Sequence, residues 1–160
     1  MGVEIERKFL VASEDWRSEV TSHSDIRQAY LAVDDTSTVR VRITDDAAFL
    51  TIKSAGPALR RDEFEYPIPL EDAEALLGLR SGRLIEKRRH IVPHGALRWE
   101  IDVFAGDLEG LVVAEIELPE EATAFNRPAW LGAEVTGDVR YANAGLATLG
   151  LPALGRPGAK

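Results

Sequence analysis

Along most of its length the chain alternates apolar and polar residues with the two-residue period of a β-strand, whose successive side chains point to opposite faces. Residues 3–11 open the series, with Glu4, Glu6 and Lys8 on one face and Ile5, Phe9 and Val11 on the other. A polar turn and a short helix reach residue 20, and residues 27–33 then read as a strand with Tyr30 near its middle. Residues 38–44 set Arg40 and Arg42 against Val39, Val41 and Ile43; residues 49–54 set Thr51 and Lys53 against Leu50 and Ile52. Residues 61–68 set Glu63 and Glu65 against Phe64, Tyr66 and Ile68, after a strand end expected at Ala55, Gly56 and Pro57. The period then lengthens: Leu70, Ala73, Leu76 and Leu77 form the stripe of a helix over 70–79 that stops near Gly78. Strand spacing resumes over 83–92, 97–104 and 111–118, carrying Lys87 with Arg89, Glu100 with Asp102, and Glu115 with Glu117. Residues 119–128 read as loop, 134–136 as a short extended piece, and Val139, Ala142, Leu146 and Leu149 as the stripe of a helix over 138–149. The Gly- and Pro-rich tail after Gly150 reads as loose.

Every one of these strands except that of Tyr30 places ionisable groups at alternate positions, and Tyr30 is the polar candidate there. A sheet with one face in water explains the alternation but not the choice of residues. Solvated strand faces draw freely on Thr, Ser and Gln, whereas these positions are nearly all Glu, Arg or Lys. The apolar faces are the available surface on which the helices can bury their stripes. That arrangement turns the charged faces inward, and eight antiparallel strands are the number at which a sheet closes into a small barrel. The expected fold is mainly β (α+β): a closed eight-stranded antiparallel β-barrel tunnel with a charged lumen and helices packed outside. One domain spans 1–160, with its core at about 3–150.

The overall charge of −8 and pI near 4.9 lack the basic footprint of a general nucleic-acid binder. The chain has no cysteine, which excludes disulfides, thiolate metal sites and a cysteine nucleophile. His23, His90 and His94 have no metal-ligand spacing, Pro93 breaking any helix between the last two. No signal-peptide pattern and no apolar run of bilayer length is present, so a cytoplasmic protein without a membrane partner is expected.

Cations gathered in a lumen attract a polyanion, with arginine's planar fork suited to phosphate. Clustered carboxylates would repel that polyanion unless they hold a divalent ion, which takes oxygen ligands. Glu4 and Glu6 are mutually costly without a metal or cations beside them. A polyphosphate together with Mg2+ or Mn2+ satisfies both halves of the pattern.

At these residues the sequence resembles the CYTH, or triphosphate tunnel metalloenzyme, family. Glu4-Ile5-Glu6-Arg7-Lys8 matches its Glu-x-Glu-x-Lys signature, which is weak alone. The ordered series is specific: Arg40-Val41-Arg42, Thr51-Ile52-Lys53, Glu63-Phe64-Glu65, Lys87-Arg88-Arg89, Glu100-Ile101-Asp102, Glu115-Ile116-Glu117 and Asp138-Val139-Arg140-Tyr141. The resemblance implies a divalent-metal-dependent triphosphatase acting on inorganic triphosphate, and it leaves homodimerisation open. Lys8, Arg40, Arg42, Lys53, Lys87 and Arg89 would bind phosphate, and Glu4, Glu6, Glu115 and Glu117 would hold the metal. Glu63, Glu65, Glu100 and Asp102 would orient water or hold a second metal. The family pattern also suggests a Lys8–Tyr30 dyad that activates water. Parity with Ile85 puts Lys87 and Arg89 inside and Arg88 outside, which a bulge would reverse. Arg61 and Arg98 share parity with site carboxylates but lie near strand ends. The competing activities are class IV adenylate cyclase and thiamine or nucleoside triphosphatase; the competing class is a non-catalytic polyphosphate-binding module. Trp16, Trp99 and Trp130 read as packing residues outside the lumen rather than an aromatic cage.

Overall fold

The alternating segments form one antiparallel sheet that closes on itself. The computed structural model describes residues 2–55 and 59–152. Its strands are β1 (Gly2–Val11), β2 (Ser22–Val33), β3 (Ser37–Thr44), β4 (Ala47–Ser54), β5 (Arg60–Ile68), β6 (Ser81–His94), β7 (Leu97–Phe104), β8 (Val112–Glu117) and β9 (Leu131–Glu134). Two helices accompany them, α1 (Leu70–Leu77) and α2 (Asn143–Leu149), with short 3₁₀ turns at Asp15–Glu19 and Gly106–Leu108. None of the described helices is long and apolar enough to cross a membrane.

The nine-stranded sheet runs β5-β4-β3-β2-β6-β7-β8-β1-β9, and an additional β1–β5 pairing closes its first eight strands into a barrel. The first strand makes that closure. One edge of β1 pairs with β8, placing Glu6 opposite Glu117 and Lys8 opposite Glu115. Its other edge is divided between β5, with Glu4 opposite Arg61, and β9, which takes Phe9 and Val11.

The apolar faces lie outside the barrel wall, as the alternation predicts. Ile5, Phe9, Ile101 and Ile116 pack with Trp16, Trp99 and Trp130, and Trp99 meets Trp130 edge-on at 5.4 Å. The three tryptophans are therefore outer core. On the opposite wall, Ala73 and Leu77 of α1 cover Ala29, Val41, Ile43 and Ala48. A third cluster sits at one end of the barrel, where Leu146 and Ala147 of α2 pack on Tyr30, Ile85 and Phe104. Burying a large apolar side chain contributes about 1.5–3 kcal/mol, so the two clusters outside the wall and the third on inward-facing rows stabilise a barrel whose cavity is polar.

Three elements depart from the sequence expectation by three residues or more. The helix expected over 138–149 begins only at Asn143, because Asp138 accepts a hydrogen bond from the Arg140 backbone N–H and ion-pairs the Arg140 guanidinium. That local side-chain-to-backbone bond competes with helix formation and leaves Val139 exposed rather than on a stripe. The extended piece expected at 134–136 is β9, placed earlier, and Val135 and Thr136 still bond to the Lys8 backbone. The second strand starts at Ser22 because β6 is long enough to pair with it from there. Gly56, Pro57 and the tail beyond residue 152 lie outside the described residues.

Candidate active site

Strand parity turns the charged rows inward around a cavity of about 250 Å³. It is lined by Glu4, Glu6 and Lys8 of β1, Tyr30 of β2, Arg40 and Arg42 of β3, and Lys53 of β4. Glu63 and Glu65 of β5, Arg89 of β6, Glu100 of β7, and Glu115 and Glu117 of β8 complete the predicted set that reaches it. Two predicted residues, Lys87 and Asp102, stand one layer behind the lining, their side chains 0% and 1% exposed and 2.7 Å apart. Arg89 faces inward, while Arg88 faces outward onto Asp25, so parity is not reversed in this stretch. Arg98 is 64% exposed beside Glu100 and is not part of the lining.

The cations fall into two groups. Lys53 Nζ donates to both oxygens of Glu4, at 3.0 and 2.9 Å, and lies 3.6 Å from Glu63. Arg61 Nη2 donates to Glu4 at 2.9 Å and to Glu6 at 3.4 Å. Arg89 grips Asp102 with two parallel hydrogen bonds and lies near Glu100 and Glu115. Lys8 Nζ donates to the Tyr141 carbonyl at 3.0 Å and lies 4.0 Å from Glu115. Arg40 and Arg42 differ: among the described residues neither forms an ion pair. Arg40 Nη2 donates to Thr51 Oγ1 at 3.4 Å, and Arg42 Nε donates to Gln28 Oε1 at 2.6 Å.

The carboxylates divide as sharply. Burial raises Glu4, but Lys53 and Arg61 outweigh it and hold the group below its usual value. Burial pushes Glu6 well above the carboxylate range, and Glu115 and Glu4 add to the effect. Glu115 is also buried, yet Lys8, a hydrogen bond shared with Glu6, and Arg89 hold it well below. Burial pushes Arg42 down to about 9, with Arg40 and Arg89 adding to the shift. Burial likewise brings Lys87 down to about 7 despite Asp102.

A family model described as the CYTH domain matches residues 2–144 of this chain. The chain belongs to the CYTH family. It is 43% identical over 147 residues to an inorganic triphosphatase of Acetivibrio thermocellus, a match covering 91% of this chain and 94% of that one. It is 42% identical over 149 residues to the inorganic triphosphatase of Nitrosomonas europaea, covering 90% and 96%. The crystal structure of the inorganic triphosphatase NE1496 superposes with a TM-score of 0.64 at 37% identity, covering 92% of this chain and 95% of that chain.

CYTH triphosphatases depend on a divalent metal, and the donor set of this chain fits one. Among the described residues no three acidic side chains converge into a closed cage. A small hard cation such as Mg2+ does not need one, because it is commonly held by one or two carboxylates and completes its shell with water and phosphate oxygens. Glu6 and Glu115, both buried, would supply oxygen donors, and a cation held there would offset the repulsion that raises Glu6.

Several residues of this CYTH site had weak or no sequence signals. Arg61 shares parity with Glu63 and Glu65, but its place near a strand end ranked it behind them. Gln28 shares parity with Tyr30, and Thr51 with Lys53, but uncharged residues do not stand out in a charged pattern. Asn143, which accepts from Lys87 at 3.3 Å and lines the cavity, comes from α2 rather than from a strand, and no strand pattern points to it.

Proposed function

We propose that this CYTH protein hydrolyses inorganic triphosphate to pyrophosphate and phosphate in its tunnel, with Mg2+ or Mn2+ as the metal. The observation that carries the reading is the sorting of charge. Two adjacent arginines without carboxylate partners face a cavity whose remaining cations are already matched to acids. The lining supports inorganic triphosphate over a nucleotide or a thiamine ester, because Tyr30 is the one aromatic among its described residues.

In this reading Arg40 and Arg42 bind the phosphate oxygens, joined by Lys8, Lys53 and Arg89 as these give up part of their contact with the acids. Lys87 acts from behind by holding Asp102 and Asn143. Glu4, Glu6, Glu115 and Glu117 would hold the divalent ion, which when bound offsets phosphate charge and draws electron density from the phosphorus. Water attacks a terminal phosphorus, the bridging P–O bond breaks, pyrophosphate leaves, and the proton lost by water is taken up by a carboxylate or the departing oxygen. Glu63 and Glu65 on β5 and Glu100 on β7 are the first candidates to orient that water, and Lys8 on β1 with Tyr30 on β2 the second. Phosphoryl transfer depends chiefly on positioning and electrostatics, which a fixed charge array supplies. The test is phosphate release from tripolyphosphate, ATP and thiamine triphosphate, each with magnesium, manganese or calcium. Tripolyphosphate is expected to be turned over fastest, and no release from any substrate would refute the proposal.

A further inference from the structure

Arg42 is held by an amide, whereas Lys53, Arg61 and Arg89 are held by acids. Gln28 lies opposite Arg42 on β3 and Ile85 on β6, so it is clamped on both sides and fully buried. Its Oε1 takes the Arg42 Nε–H at 2.6 Å, while its Nε2 is buried with no partner among the described residues. An orphaned amide donor lowers stability, so the residue is not explained by the stability of the barrel. The neighbouring arginine repeats the device, since Arg40 meets the neutral hydroxyl of Thr51, and its own Nε has no partner among the described residues. Arg89 shows the alternative, its fork closed on Asp102.

We propose that Gln28 is a positioning residue for the phosphate site: it fixes the Arg42 guanidinium from behind without neutralising it. An acceptor on Nε stops rotation of the fork and leaves both terminal nitrogens facing the cavity. A neutral acceptor does so while the full positive charge remains for the substrate. A carboxylate in the same place would make an equally good hydrogen bond and spend the charge. The inference rests on the triphosphate reading of the tunnel and adds that the specificity of this wall for anions depends on a residue that does not touch them.

The test uses two substitutions and two readouts. Gln28→Glu keeps the acceptor and adds a charge; KM for tripolyphosphate is expected to rise about tenfold or more, the scale of one lost charge-assisted contact. Its thermal midpoint is expected to equal or exceed the parent's. Gln28→Leu removes the acceptor and the orphaned donor together, so folding is retained and KM rises by a smaller factor. The second readout is the rise in midpoint caused by tripolyphosphate in the presence of chelator, which does not depend on turnover. The inference is overturned if Gln28→Glu keeps the parent's KM and midpoint rise, or if Gln28→Leu does. A parent stabilised by tripolyphosphate but unable to hydrolyse it refutes the triphosphatase reading alone, and the midpoint rises then decide the role of Gln28.

Discussion

Lys87 and Asp102 form an ion pair at 2.7 Å that solvent does not reach, and Asp102 also anchors Arg89. Removing one partner of a buried pair leaves an uncompensated charge and costs about 3–5 kcal/mol. Asp102→Ala strands two cations and is expected to lower the thermal midpoint by roughly 10 °C in a domain of this size. Lys87→Met is expected to cost less, because Asp102 keeps its paired hydrogen bonds from Arg89. Calorimetric midpoints of the two variants check the order, and an equal loss would contradict it.

Arg40 and Arg42 should behave in the opposite way. Neither has an acid partner among the described residues to leave behind, and Arg40 raises the cost of charging Arg42. Arg40→Ala and Arg42→Ala are expected to lower kcat/KM for tripolyphosphate by about a hundredfold, as two lost charge-assisted contacts per side chain imply. The Arg40→Ala midpoint is expected to stay at or above the parent's, whereas Arg42→Ala also leaves the buried Gln28 carbonyl without its donor and is expected to sit lower than Arg40→Ala. A fall in both activity and midpoint in Arg40→Ala would mean that this arginine supports the fold.

Chelation is expected to stop turnover, and added magnesium to restore it. Burial and Glu115 raise the Glu6 carboxyl well above its usual value, so a proton competes with the cation at low pH. The half-saturating magnesium concentration is therefore expected to fall as pH rises from 6 to 8. Glu6→Gln is expected to weaken the metal requirement's dependence on pH, measured by phosphate release across magnesium titrations.

Glu134 ties β9 to β1 through paired hydrogen bonds to Arg7, which hold its carboxyl down to about 2 from a usual 4.5. A depressed acid stabilises the fold above its unfolded value, and the contribution is lost as pH falls through the folded value. The stability gap between the parent and Glu134→Gln is thus expected to be full at pH 7 and to shrink between about 4.5 and 2. Denaturant unfolding at pH 7, 4 and 3 measures it.

The barrel and its inward charges were legible because a period of two assigns each residue a face once one face is known. Lys87-Arg88-Arg89 shows how far this goes: parity alone sends Arg88 outward to Asp25. Which cation keeps an acid and which does not was not legible. Lys53 reaches Glu4 only because closure sets β1 beside β5, and β4 lies next to β5. The neutral partners Gln28 and Thr51 give no periodic signal of charge. The shortened last helix was missed because the spacing of Val139, Ala142 and Leu146 is helical, whereas the hydrogen bond from the Arg140 N–H to Asp138 acts within a single turn.

Closure by the first strand also bears on how the chain folds. Glu6 waits for Glu117, and Lys8 for Glu115, across more than two thirds of the described chain. Such pairings give a high contact order, which slows folding because loop entropy is lost before the contacts form. During synthesis β1 emerges before the other barrel strands as an open edge carrying Glu4, Glu6, Arg7 and Lys8, with its β8 partner made last among them. Its row of glutamates and lysine is then also a guard against pairing with other nascent chains, a hazard that unpaired strands carry until they are enclosed.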